Sequence, residues 1–422
     1  MVRRLSIPVL CLAVSAAAAE TITVGPGSKF DFTQINQAIK AASDNDVILV
    51  APGTYAELVD PRGKRITIES TAGAAKTVID GQHTRRCLVC TSGETLGTII
   101  RGFTLQNGMS PASAPGGGIV IVDSSPRIEA CRVSFNTSGT RGQYYTESGA
   151  GVAVMRGYPR FEACLFQGNA TLGLGGGAYL AGKSVVDFVE CQFESNEARK
   201  GGGIYVSEHS AALLSDCILR NNVAEWYGGG VYLLDQCELD LGDCEVTGNA
   251  AGLGGGGVYG QCGDVTISGG VFELNAATAG GGINMNCGTA VIHETAFQNN
   301  DGLAGGDIRV AYTGDPPGTP LATVIVSAST FCGSVEPIEG PWTDAGKNAF
   351  FGSCADGACC SNGMCAQTDA DTCTLLGGTF QGVGVLCEDA GCPGDCPADI
   401  SGDGIVGADD ILKVISDWGP CP

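Results

Sequence analysis

Near the C-terminus the run DISGDGIVGADD places oxygen donors at fixed intervals. Asp399, Ser401, Asp403 and Asp410 stand at loop positions 1, 3, 5 and 12, with Gly404 at position 6. Oxygens at those spacings wrap one Ca2+: Gly404 makes the bend, Ile405 lends its carbonyl, and Asp410 is the bidentate ligand. The text that follows, ADDILKVISDW, reads as a helix. The competing reading is an acidic helix cap with no metal.

Two further sets could do chemistry. Tyr179, Tyr205, Tyr232 and Tyr259 recur in the phrases GGGAYL, GGGIYV, GGGVYL and GGGVYG, with Trp226 and Tyr227 just ahead of the third tyrosine. Aromatic rings in one repeated slot could stack against a row of sugar rings, or against one another. Glu190, Asp216 and Asp243 each stand immediately before a cysteine of a second recurring series. Stacked like charges repel, so either a bound cation relieves them or they point apart at a bend into solvent. The three histidines, His83, His209 and His293, are too scattered for a metal or triad assignment and read as surface or turn residues.

The elements that hold these residues follow from a period. The last residue of each glycine group falls at Gly118, Gly151, Gly177, Gly203, Gly230, Gly257, Gly282 and Asp307, at intervals of 33, 26, 26, 27, 27, 25 and 25. Cys131, Cys164, Cys191, Cys217 and Cys244 each precede an asparagine by five: Asn136, Asn169, Asn196, Asn222 and Asn249. Gly270 with Asn275 and Thr295 with Asn300 continue that register, and Gly102 with Asn107 begins it. Within units, side chains alternate with the period of a strand, as in Ile204-Tyr205-Val206. Short strands and tight turns repeated at this interval predict an all-β chain, a parallel β-helix whose coils stack edge to edge. Glycines then form one corner of every coil, asparagines a turn ladder in the left-handed conformation that Asn tolerates, and the cysteines a buried file of thiols. Cys262 and Cys287 form a second stacked pair, with Cys237 close in sequence. Asn136 and Asn169 match the glycosylation triplet, but an inward ladder would hide them.

Paired with Phe166…Asn169, Phe193…Asn196, Phe272…Asn275 and Phe297…Asn300, the glycine phrase resembles the GGA[I/L] and FxxN repeats of chlamydial polymorphic outer-membrane proteins. That resemblance implies an adhesin-like surface, although the C-terminal barrel of those proteins is lacking here. Upstream, ITVGPGSKFDFTQINQAIKAASDNDVILVAPGTYAE, TVIDG and IIRGFTLQNG look like the opening coils of the pectin-lyase-like superfamily. This implies a right-handed β-helix plugged by a short amphipathic helix bearing Phe32, Ile35, Ile39 and Ala42. It does not carry an active site with it: the paired aspartates and Gly-His-Gly of polygalacturonases, the Asp/Asp/Arg set of pectin methylesterases and the Arg-Pro-Arg of pectate lyases are not found. Were lyase-like chemistry present, Glu190, Asp216 and Asp243 with Arg220 or Arg132 would be the place, since β-elimination on a uronate wants Ca2+ and a cationic base.

FCGSVEPIEGPWTDAGKNAFFGSC resembles a closing segment of secreted planctomycete β-helix proteins, which implies a Cys332–Cys354 pair. Cys359, Cys360, Cys365, Cys373, Cys387 and Cys392 follow in a short polar stretch that needs cross-links, in any of fifteen pairings. The calcium loop resembles a single type I dockerin repeat framed by Cys396 and Cys421, where cohesin-binding dockerins carry two.

The chain has 422 residues with 66 glycines, 21 cysteines and a net charge of −22, which argues for a secreted acidic protein and against nucleic acid as a partner. Arg3 and Arg4 before IPVLCLAVSAAAA read as a signal peptide ending near Ala19, and no later stretch is apolar enough to span a bilayer. The expected organisation is a signal peptide (1–19), a right-handed β-helix (20–356), a cysteine-rich module (357–393) and an EF-hand-like, dockerin-like calcium module (394–422). The expected partner is an extracellular polysaccharide or cell-surface component, with a protein partner for the calcium module. A polysaccharide lyase or glycoside hydrolase, and a purely structural surface component, are the alternatives.

Overall fold

The computed structural model describes residues 19–390 apart from 112–113, 140–147, 312–320, 335, 362–363 and 388–389. Residues 1–18 of the expected leader, the loop from Asp399 to Asp410, and Cys392, Cys396 and Cys421 lie outside the described residues.

Among the described residues the chain winds through four parallel sheets of thirteen, twelve, seven and ten strands. One coil visits them in turn: Val185–Val189, Gln192–Glu194, Glu197–Lys200 and Ile204–Val206. Equivalent strands pair in register, so Phe188 lies over Leu214, Phe193 over Leu219 and Tyr205 over Tyr232. Inward positions are filled by aliphatic residues and by rings stacked along the axis, such as Phe166 and Phe193 with centroids 4.6 Å apart. The helix Ile35–Ala41 buries Ile35, Ala38 and Ile39 at the end of the solenoid. Its first free amides are satisfied by the Glu57 carboxylate, which accepts from Ile35 N at 2.8 Å and Asn36 N at 3.0 Å.

The glycine corner has two requirements. Gly201 has φ 62°, a left-handed conformation, and a Cβ on Gly202 would meet the carbonyls of Val223 and Gly229 at 2.5 and 2.6 Å. The asparagines opposite form one continuous ladder. Asn196 Nδ2 donates to Asn222 Oδ1 at 2.9 Å and to the Phe166 carbonyl at 2.9 Å, and the pattern runs from Asn136 to Asn300. All seven are buried, which removes Asn136 and Asn169 as glycan acceptors.

Two sequence expectations shift by one position. The ladder asparagines do not take the left-handed conformation; the residue before each does, as Ser195 (φ 54°) and Asn221 (φ 55°) show. By the same register Asn107 (φ 53°) aligns with Phe135 rather than Asn136. Gly108 therefore holds the ladder position, and its amide donates to Asn136 Oδ1 at 2.7 Å.

Cys131, Cys164, Cys191, Cys217 and Cys244 form the buried thiol file, whereas Cys262 and Cys287 join adjacent coils by a disulfide. Cys332 and Cys354 are bonded. An antiparallel sheet of Gly357–Ser361, Met364–Thr368 and Thr379–Val383 follows, with the helix Ala370–Leu375 and the disulfides Cys359–Cys373 and Cys365–Cys387.

Candidate binding surface

The tyrosine column exists, but its faces are turned on each other. Tyr179, Tyr205, Tyr232 and Tyr259 pair rung by rung on the outer side of the ten-stranded sheet. Ring centroids are 5.8, 4.8 and 5.3 Å apart, with the central pair inclined by 3°. Tyr205, Tyr232 and Tyr259 are 6, 0 and 7% exposed, so the expected strip of open rings for stacking sugars is not there. The cover comes from the end of the seven-stranded sheet. Lys200 Nζ lies 4.9 Å over the Tyr232 ring and 3.5 Å from its hydroxyl, and Tyr227 packs 4.5 Å from Tyr259. The Tyr232 hydroxyl donates in turn to Gln261 Oε1. Burial lowers the Lys200 pKa and raises that of Tyr179.

Trp226 is different. It stands partly buried on the outer face of the seven-stranded sheet, where a register shift between Ala198 and Lys200 sets two residues of its strand against one. The Arg199 guanidinium lies 4.6 Å over the indole and reaches Glu225 at 3.2 Å, which fixes the ring on the sheet. Leu172, Leu253 and Leu303, exposed at 50, 47 and 89%, occupy neighbouring places along this strip, and Val223 is exposed beside them. Between them come Gly252, Ala276 and Thr278, while Glu197, Glu225 and Asp301 are exposed on the same face. Six coils span roughly 24 Å at about 4.8 Å per rung. The strip mixes leucines with carboxylates around one aromatic ring.

Glu190, Asp216 and Asp243 lie on successive coils at the turn between the first two sheets, each left-handed (φ 52, 54 and 49°) and each exposed. Every carboxylate projects from its own turn, and among the described residues no group of three or more His, Cys, Asp or Glu side chains is disposed to hold a metal ion. The expected second cation site is therefore not assembled. Glu190 instead edges an open groove of about 490 Å3 that is walled by the loop Ala72–Ala75 and floored by Ala130, Ala163 and Leu165. Arg132 enters the same groove, and among the described residues it pairs with no carboxylate. Arg220 does not: it is held 3.1 Å from Glu194 on the second sheet.

One set of charges comes together only when the coils are stacked. On the outer face of the first sheet Arg101 bridges Glu129 (2.6 Å) and Glu69 (3.5 Å), Arg127 joins Glu129, and Arg160 bridges Asp187 (2.6 Å) and Glu162 (3.4 Å). The outward R-x-E pairs at 127–129 and 160–162 are the signal, repeated in strand phase on adjoining coils. These cross-strand pairs tie adjoining coils of the sheet together. Two histidines are turn residues, His83 (φ 52°) and His209 (φ 60°), but His293 faces outward on the first sheet, 2.9 Å from Ser327.

The family model described as "Right handed beta helix region" matches residues 86–272 and 203–316, together more than half of the chain. Among solved structures the chain is similar to a pectin methylesterase from carrot, at 12% identity over 81% of this chain and 90% of that one, with a TM-score of 0.32. It is also similar to the complex of XylC with xylose (10%, 78% and 86%, 0.34) and to the A-module of the Azotobacter vinelandii mannuronan C-5 epimerase AlgE6 (14%, 75% and 91%, 0.27). Superpositions this loose carry no functional argument. No curated protein matches the chain.

Proposed function

The chain belongs to the right-handed β-helix family, and from that membership we propose a secreted protein that binds extracellular polysaccharide or another cell-envelope component along its flank. One observation carries this reading: Trp226, held by Arg199, stands with the exposed Leu172, Val223 and Leu253 and the carboxylates Glu197 and Glu225 on the outer face of the seven-stranded sheet, a mix of ring, apolar and hydrogen-bonding groups that suits a sugar. Sugar rings present apolar C–H faces that stack on an immobilised indole. The net charge of −22 favours a neutral chain over a polyanion there. The test is affinity electrophoresis of the full chain in gels containing neutral or uronate polysaccharides. Retardation by at least one neutral polymer, with Trp226→Ala weakened about tenfold, supports the reading; equal retardation of both proteins refutes the role of Trp226.

A second reading, a polysaccharide lyase or glycoside hydrolase acting on an acidic glycan, draws on Arg132. A guanidinium that pairs with no carboxylate among the described residues, at an open groove, suits a carboxylate-bearing sugar. Unsaturated products from uronate polymers in calcium at alkaline pH, lost in Arg132→Ala, would establish it. A purely structural surface component would bind no glycan in either assay.

Asp399, Ser401, Asp403, Asp410 and the Ile405 carbonyl would hold one Ca2+ in a dockerin-like tail that attaches the protein to a partner or to the cell surface. Calorimetric titration of the full chain with Ca2+ should show one site, abolished in an Asp399→Ala/Asp403→Ala variant. Export is checked by the N-terminus of protein recovered from medium, expected at Glu20.

A further inference from the structure

We propose that Ser327 is a nucleophile for acyl transfer, activated by His293 and oriented through it by Glu294. Ser327 and His293 are register partners on adjacent coils of the first sheet, and the serine hydroxyl lies 2.9 Å from His293 Nδ1. On the other side of the ring Nε2 is 3.4 Å from Glu294 Oε1. With its proton on Nε2, the side facing Glu294, His293 presents Nδ1 as the acceptor of the Ser327 O–H; this is the arrangement a general base requires. The hydroxyl and the carboxylate thus stand beside the two nitrogens of one imidazole.

In the reaction the Ser327 Oγ–H proton passes to Nδ1 as Oγ bonds to an ester carbonyl carbon. The tetrahedral adduct then expels the alcohol, which takes the proton from Nδ1. Water repeats the sequence on the acyl-serine, releasing the acid and returning the proton to Oγ, so no oxidant or further reactant is consumed.

Substrate class follows from position. Two residues earlier on the same strands, and therefore on the same face, Val291 lies over Ile325. They give an apolar seat for a small acyl group beside the hydroxyl. His293 is half-exposed on an open sheet rather than in a pocket, so the site takes an ester carried on an extended chain. The neighbouring amides are engaged: Ala328 N donates to the Gly346 carbonyl and Ser329 N to Asn348 Oδ1. With the oxyanion left to water, the acceleration is that of the base, roughly 10²- to 10⁴-fold.

The full chain is incubated with p-nitrophenyl acetate, hydrolysis is followed, and the trapped acyl-protein is mapped by peptide mass spectrometry. A fluorophosphonate probe serves as an independent label. The expected result is acetyl and phosphonyl adducts on Ser327, with hydrolysis about 100-fold above buffer. Both should be lost in Ser327→Ala and His293→Gln, and Glu294→Gln should be less impaired than His293→Gln. Both substituted side chains face outward, so unchanged melting temperatures should accompany the loss. If a variant unfolds, adduct mapping in the unsubstituted protein decides alone. Adducts elsewhere with none on Ser327, or hydrolysis unchanged in Ser327→Ala, overturn the proposal.

Discussion

Asn300 Nδ2 donates to Asp307 Oδ1 at 2.8 Å, and with that bond the asparagine ladder ends on a buried carboxylate. Asp307 sits where earlier coils carry the last glycine of the corner, and burial pushes its pKa up from 3.8 to about 6. An acid whose folded pKa is raised binds its proton more tightly when folded. Its contribution is therefore favourable below pH 3.8 and is lost as pH climbs from there to about 6, by roughly 3 kcal/mol in all. Asp307→Asn replaces the titrating group with a neutral amide. Thermal unfolding at pH 4 and pH 7.5 should show the variant gaining stability over the parent only at the higher pH; equal differences at both would contradict this.

Within the ladder, Asn222 makes the full set of bonds that its neighbours share. Its Oδ1 accepts from the Asn196 backbone amide and side chain at 3.1 and 2.9 Å, and its Nδ2 donates to Phe193 O and Asn249 Oδ1 at 2.9 Å each. Asn222→Ala leaves those groups buried without partners, at about 1 to 3 kcal/mol for each unsatisfied group. A total loss of roughly 3 to 6 kcal/mol is expected in urea unfolding, against about 1 kcal/mol for the exposed neighbour Asn221→Ala.

The tyrosine stack is support for the sheet. Tyr232→Ala opens a cavity between Tyr205 and Tyr259 and should cost about 3 to 5 kcal/mol. Tyr232→Phe keeps the ring and loses only its hydroxyl contacts with Gln261 and Lys200, about 1 kcal/mol. Denaturant midpoints separate the two, and Tyr232→Phe should keep the glycan affinity of the parent.

The thiol file should be inert while the coil is closed. Cys191 Sγ donates to the Phe161 carbonyl at 3.5 Å, and all five residues of the file are at most 3% exposed, so a reagent in solution does not reach their sulfurs. Ellman's reagent should leave Cys131, Cys164, Cys191, Cys217 and Cys244 unreacted in native protein and titrate them in guanidinium. Reaction of any of them in folded protein would contradict the packing.

Much of this was legible from spacing alone. Side chains 25 to 27 residues apart do lie over one another, and the asparagine, cysteine and tyrosine columns follow from it. What covers a column was not. Tyr205 to Tyr259 are hidden by Lys200 and Tyr227, which precede the glycine corner of their coils, and only the folded corner brings them across. The left-handed residue before each ladder asparagine is Ser, Asn, Gly, Leu or Phe, so no residue type marked it, and Asn107 was placed one position out. His293 meets Ser327 across 34 residues, outside the 25-residue interval that would have paired them.

Hydrogen exchange read by mass spectrometry, with and without a bound polysaccharide, tests most directly which flank is the binding surface. The account predicts slowed exchange in Glu197–Lys200, Val223–Tyr227 and Ala250–Gly254 on adding the glycan, with the opposite flank unchanged. Protection confined to Arg132–Ser134, Leu165–Gln167 and Gln192–Glu194, beside the Arg132 groove, would contradict it.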